Sequence, residues 1–258
     1  GAVKTKPSDP TLRFLKALTL VDLAKKDEAI ELLRELSNEG FVPAVYRLAA
    51  ELNQLEDEKK KAESVTIYKR YTELEPYDSR GFRDLAISSD NANQLVQAEA
   101  AYRKSIELNP TEVDGYVYFI PFLIMQDRMV EVRPWLEAAE KLKDDDTDVF
   151  GSVIESLTGL DDLTYAEKFA AAEPLRMNTS YDANLALGRK YSEAERYPAA
   201  LRLLQTAAQL DKESSEPHML IAHVHRKQKR FNAALRAAQQ AIAIDEYDGE
   251  AQYELACA

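Results

Sequence analysis

A thirty-four-residue period runs through this chain and limits what it can fold into. Phe82, Tyr116, Phe150, Asn184, His218 and Gln252 fall in one column. Ala98, Val132, Ala166, Ala200 and Ala234 form a second column, and Ser105, Ala139, Glu173, Ala207 and Ala241 a third. A period of that length means stacked supersecondary units, none of which buries its apolar face alone. Within the unit Tyr181 to Ser214, Leu187, Gly188 and Tyr191 precede a short turn at Ala194-Glu195-Arg196, and Ala200, Leu204 and Ala207 follow it. Spacings of three and four place each set on one stripe of a helix. Gly188 and Ala200 are small where the two helices must approach, while Tyr191 and Leu204 fill the space between them. Pro198 falls in the first turn of the second helix, where its missing N–H is no loss.

The next unit, Ser215 to Asp248, repeats this arrangement with Ala222, His225, Phe231, Ala234, Ala238 and Ala241, and Ser215 reads as an N-cap ahead of Pro217. Ser79 to Glu112 does the same and ends in Leu108-Asn109-Pro110. Leu187-Gly188-x-x-Tyr191, Ala200, Leu204 and Ala207, with that Leu-Asn-Pro, closely resemble the tetratricopeptide repeat signature. The resemblance is strongest from Ser79 onward and implies an all-α fold: a right-handed superhelical solenoid of stacked helix-turn-helix units. After a polar lead-in over residues 1–10, one array is expected over 11–258. Its units are 11–44, 45–78, 79–112, 113–146, 147–180, 181–214 and 215–248, with a partial unit 249–258. Upstream the phase slips, because Ala29, Leu33 and Leu36 sit one residue early. Gly40 reads as a helix C-cap, and Glu56 to Lys61 as a turn or small insertion.

In the family this resembles, the first helix of each unit lines a concave groove through its second, fifth, ninth, twelfth and thirteenth positions. Carried onto this chain, those positions nominate Val117, Ile124 and Met125, then Leu185, Arg189 and Ser192, then Met219, His223, Arg226 and Lys227. An apolar middle followed by a basic end suits a peptide or helix with hydrophobic anchors and an acidic stretch. Some relatives clamp the carboxylate of chaperone tails with Lys, Asn and Arg. Here the clamp positions read Arg83, Ile87, Val117, Pro121, Leu185 and Arg189, without the asparagines, so that clamp is not expected.

Other signals point to packing rather than chemistry. Asp144, Asp146, Asp148 and Glu155 have the spacing of an EF-hand loop, but Val149 stands where that loop needs glycine. His218 and His225 lie in core-facing columns, and His223 faces the groove. No metalloprotease, phosphate-loop or nucleophile-elbow motif appears, so neither catalysis nor a metal or cofactor is expected. Pro121 falls inside a helix, where it bends the groove or is tolerated. The formal net charge of −12 disfavours a nucleic-acid partner, and no apolar run is long enough for membrane insertion. The lone Cys257 forms no intramolecular disulfide and leaves the compartment open: cytoplasmic, or periplasmic or secreted if an upstream leader was removed. The helical pattern from Glu250 to Ala258 has no cap and reads as the beginning of further structure. Two readings follow: a non-catalytic protein-binding scaffold, or the recognition arm of a larger enzyme. Self-association through Tyr253 and Leu255 at the open C-terminal end is a third possibility.

Overall fold

The structure, a computed structural model, describes residues 9–142, 148–160 and 163–257, and all the regular elements among them are helices. They divide into two compact units, residues 1–119 and 120–258. The first holds α1 (Pro10–Asp22), α2 (Lys26–Asn38), α3 (Val42–Asn53), α4 (Glu58–Leu74), α5 (Ser79–Asn91) and α6 (Leu95–Leu108). The division falls within α7 (Val113–Met125). The second continues with α8 (Met129–Glu140), α9 (Val149–Thr158), α10 (Thr164–Ala172), the short α11 (Pro174–Met177) and α12 (Tyr181–Glu193). It closes with α13 (Tyr197–Leu210), α14 (Glu216–Lys227), α15 (Phe231–Ile244) and α16 (Gly249–Cys257).

The turns inside the helix pairs share one backbone device. Ala24, Asn93, Asp127, Glu195 and Lys229 all have φ between 57° and 59°, the left-handed conformation that ends a helix. The amide of the following residue reaches back five positions, as in Arg196 to the Tyr191 carbonyl and Arg230 to the His225 carbonyl, at 2.8 and 2.9 Å. Only Asn and Asp among these five take that conformation readily. The α3–α4 pair lacks it: α3 leads into α4 through Gln54 to Asp57, and the Asp57 carboxylate caps α4 through the amides of Lys59 and Lys60. Thus Glu58 to Lys61, read above as turn or insertion, belongs to the first turn of α4. Gly40 does adopt the left-handed conformation, at φ +86°.

Packing inside each pair follows the small-residue columns. A Cβ on Gly188 would stand 2.9 Å from both Cγ and Cδ2 of the buried Leu204. Ala98, Ala166, Ala200 and Ala234 are all fully buried. Val132 takes the same place and is also buried. The first unit has a core cluster of Ala17, Ile30, Leu33, Leu36, Ala44, Leu48 and Leu52, with Phe14 and Phe41 against it.

Successive pairs are latched near the start of their first helices. Ser79 Oγ donates to Glu112 at 2.9 Å, Tyr181 and Ser214 share a bond of 2.8 Å, and Ser215 Oγ donates to Asp248 at 2.8 Å. Ser215 therefore ties one repeat to the next and does not cap its own helix. The α7 segment is apolar nearly all round, with Phe119, Ile120, Phe122, Leu123 and Ile124 buried, and it stays helical through Pro121.

Two substitutions test these constraints by urea unfolding. Gly188→Ala is expected to lower stability by about 1–2 kcal/mol, because overpacking outweighs the gain in helix propensity. Glu195→Gly is expected to raise it by about 0.5–1 kcal/mol, because it relieves a left-handed non-glycine residue against some added unfolded-state entropy.

Candidate functional site

In the second unit, α12, α14 and α16 enclose a groove-like cavity of about 630 Å³. Arg189, Ser192 and Glu193 come from α12, Glu216, Met219, Leu220 and His223 from α14, and Glu250, Tyr253 and Glu254 from α16. Helical spacing accounts for the set: Arg189 and Ser192, and Met219 and His223, are three and four residues apart on one stripe. Four sequence-nominated residues thus meet here: Arg189, Ser192, Met219 and His223. Carrying the same columns past Asp248 points to Glu250 and Tyr253, which the sequence reading did not nominate for the groove. Tyr253 is 61% exposed and Leu255 half-buried.

The remaining nominees lie elsewhere. Leu185 is 8% exposed and Ile124 1% exposed, so both are core residues. On a helix as apolar as α7, column position cannot separate groove from core. Val117 and Met125 are half-buried on α7, and Lys227 is exposed at the end of α14, outside the lining of the cavity.

Apart from Lys227, which lies outside the cavity lining, the basic end anticipated for this groove is already paired with carboxylates. Arg189 is ion-paired with Glu216. Arg226 forms a two-pronged pair with Glu254, Nε to Oε2 at 2.6 Å and Nη2 to Oε1 at 2.9 Å, and His223 Nδ1 lies 3.0 Å from the same carboxylate. The arginine also sits 5.9 Å from the Tyr253 ring centroid, within cation–π range. The Glu254 side chain is only 5% exposed. Burial opposes its charge, but the hydrogen bonds from Arg226 and His223 outweigh that and hold its carboxyl below the ordinary range. This polar lock fastens α16 onto α14.

The other two histidines face a separate hollow of about 490 Å³ between α13, α14 and α15, with Gln205, Gln209 and Gln240. Burial lowers the pKa of both His218 and His225, and Arg230 and Arg236 depress His225 further. His218 is bonded to Gln240, whereas Nδ1 of each ring is buried without a hydrogen-bond partner among the described residues. Of the EF-hand-like set, Asp148 caps α9 through the Gly151 amide at 2.9 Å and Glu155 lies within α9. Asp144 and Asp146 lie outside the described residues. Among the described residues no group of three or more His, Cys, Asp or Glu is placed to hold a metal, and no helix is long and apolar enough to cross a membrane.

The first unit has its own hollow of about 500 Å³, where Phe14, Leu18, Tyr46 and Tyr71 meet Arg47 and Arg80. The Tyr46 hydroxyl donates to the Asp84 carboxylate, and burial together with that carboxylate pushes its pKa up.

Comparison with known proteins agrees with the fold. The tetratricopeptide repeat family model matches residues 215–248, the α14–α15 pair. The α14–α15 pair is thus a tetratricopeptide repeat, and the chain as a whole shares its fold with tetratricopeptide-repeat proteins. Its fold is similar to that of a tetratricopeptide repeat protein from Parabacteroides merdae, at 10% identity and TM-score 0.53 over 96% of this chain and 98% of that one. The C-terminal part of a repeat-containing protein from Cytophaga hutchinsonii aligns at 15% identity and TM-score 0.52, covering 94% of this chain and 99% of that one. Yeast Tom70 aligns at 15% identity and TM-score 0.54, covering 97% of this chain but 55% of Tom70. At such identities the likeness concerns the fold alone. No curated protein matches the chain in sequence.

The Glu254 lock has a definite pH sign. Because its folded pKa is lowered, its stabilisation is complete above the ordinary carboxylate range and is lost as pH falls through the lowered folded value. Hydrogen exchange is expected to show α16 opening before α14 and α15 on acidification. Glu254→Ala should open α16 at neutral pH, at about 2–3 kcal/mol. This is the low end for breaking a buried pair, since Arg226 stays partly in water.

Proposed function

We propose that this chain is a non-catalytic scaffold that holds a segment of another protein in the groove between α12, α14 and α16. One observation carries the reading: a cavity of about 630 Å³ in which Met219, Leu220 and a 61% exposed Tyr253 stand among fixed ion pairs. Aromatic and methionine side chains held in a polar rim are the usual makings of a binding hot spot. The fold gives the groove rigid walls, since α12 and α14 are each backed by their own second helix. Rigid walls reduce the entropy lost when a flexible segment is captured.

A recognition arm of a larger enzyme would use the same groove. The groove is therefore the object to test, and the two readings part on what the full-length gene product carries beside it.

Site-specific photocrosslinking in the native host tests the groove directly. A photoreactive phenylalanine analogue at Met219 should yield a discrete crosslinked protein, and the same analogue at Val96, which is 88% exposed on α6, should not. Adding Leu220→Ser should weaken the Met219 crosslink several-fold without changing helical content, which corresponds to about 1 kcal/mol of binding. Crosslinks from Val96 alone would place the binding surface outside the groove.

A further inference from the structure

We infer that the segment held in this groove is cationic, presenting a Lys or Arg side chain to Glu250 and Tyr253 with apolar neighbours on Met219 and Leu220. The inference rests on the groove being the binding surface and adds the chemistry of its occupant.

The groove's own positive charge is committed. Arg189 is held by Glu216, and Arg226 by Glu254. Lys190, beside the groove, bonds to Glu193 at 2.9 Å. Four glutamates line the cavity against one arginine, and after these pairings the Glu250 carboxylate has no hydrogen-bond or ion-pair partner among the described residues. An acidic ligand would have to displace Glu216 or Glu254 from its arginine. A basic ligand displaces nothing.

The bias continues along α12. Asp182 lies seven residues before Arg189, on the same stripe of the helix. Burial, and then the charges of Asp148 and Glu155, hold the Asp182 carboxyl above its ordinary range, and no cation offsets them. Asp148 is bonded to the Ser180 hydroxyl and the Gly151 amide, neither of which is charged. Glu250 in the cavity and Asp182 further along α12, outside the cavity lining, therefore both carry unneutralised negative charge, while Tyr253 already accepts one guanidinium at 5.9 Å and stays mostly exposed. The formal charge of −12 on the whole chain draws a cationic segment toward it during encounter.

The test uses the full chain and three fluorescein-labelled peptides of equal length, alternating Leu with Lys, Glu or Ser, read by fluorescence anisotropy at low and at physiological salt. The Leu/Lys peptide should bind about tenfold more tightly than Leu/Ser, a margin of about 1.4 kcal/mol, and weaken with added salt. Glu250→Lys should remove most of that margin. Glu31→Lys, the same charge change at an exposed position of α2 in the first unit, should leave it. Equal loss in both variants would reduce the effect to non-specific attraction and overturn the inference, as would tighter binding of Leu/Glu or indifference to Glu250→Lys. Equal binding of Leu/Ser and Leu/Lys would remove the cation while leaving the groove as the binding surface. If no peptide binds, the cation inference falls, and the groove reading stands or falls on the Met219 crosslink.

Discussion

A helix hairpin of this kind buries one side of its apolar surface within itself and leaves the other side for its neighbour, and the rest of the structure follows from that shortfall. The small residue at Gly188 brings α12 against Leu204 of α13 until no Cβ would fit. Ser215 then ties the start of α14 to Asp248 at the start of α16. Contacts within a pair and contacts to the next pair are each short in range, so stability spreads as a chain of nearest-neighbour terms. The left-handed residues at Ala24, Asn93, Asp127, Glu195 and Lys229 set the angle at which each second helix returns. Their strain is tolerated because packing on both sides over-determines the turn.

That frame explains why the groove in the second unit is defined by polar side chains. Stacking commits the apolar faces to neighbouring helices, so the face of α12 and α14 turned away from their partners carries Arg189, Ser192, His223 and Arg226. Buried charge is tolerated only when paired, and Glu254 meets that condition with both Arg226 and His223. The pair sets where α16 lies, and α16 in turn brings Tyr253 and Glu250 to the cavity. One carboxylate therefore fixes the position of two residues on which the proposed recognition depends.

Much of the fold was legible in the sequence because its two signals are local. Periods of three and four mark the stripes, and the recurring small residues mark the close approaches. Reading was poorer where either signal blurred. In α7 nearly every residue is apolar, so Ile124 looks like a groove residue by position and is a core residue by burial. Leu185 was misplaced for a related reason: a leucine on the groove stripe still turns inward when a neighbouring helix stands close enough to cover it. Ser215 was read as a cap because serine before a proline-started helix has that meaning, yet a carboxylate thirty-three residues away takes its hydroxyl.

The sequence by itself determined the repeat, the pairing of its helices and the columns that must be small, because these depend on spacing along one chain. With the groove positions that the family resemblance implies, it also named Arg189, Ser192, Met219 and His223, which line one cavity. Only the tertiary structure decided the sign of the groove. Arg189 and Arg226 read as free positive charge until Glu216 and Glu254 are seen against them, twenty-seven and twenty-eight residues further along. Charge at a surface is a sum over neighbours in space, and those neighbours come from a different helix in each case. The same thirty-four-residue step that made the fold readable is what carried the neutralising carboxylates into place.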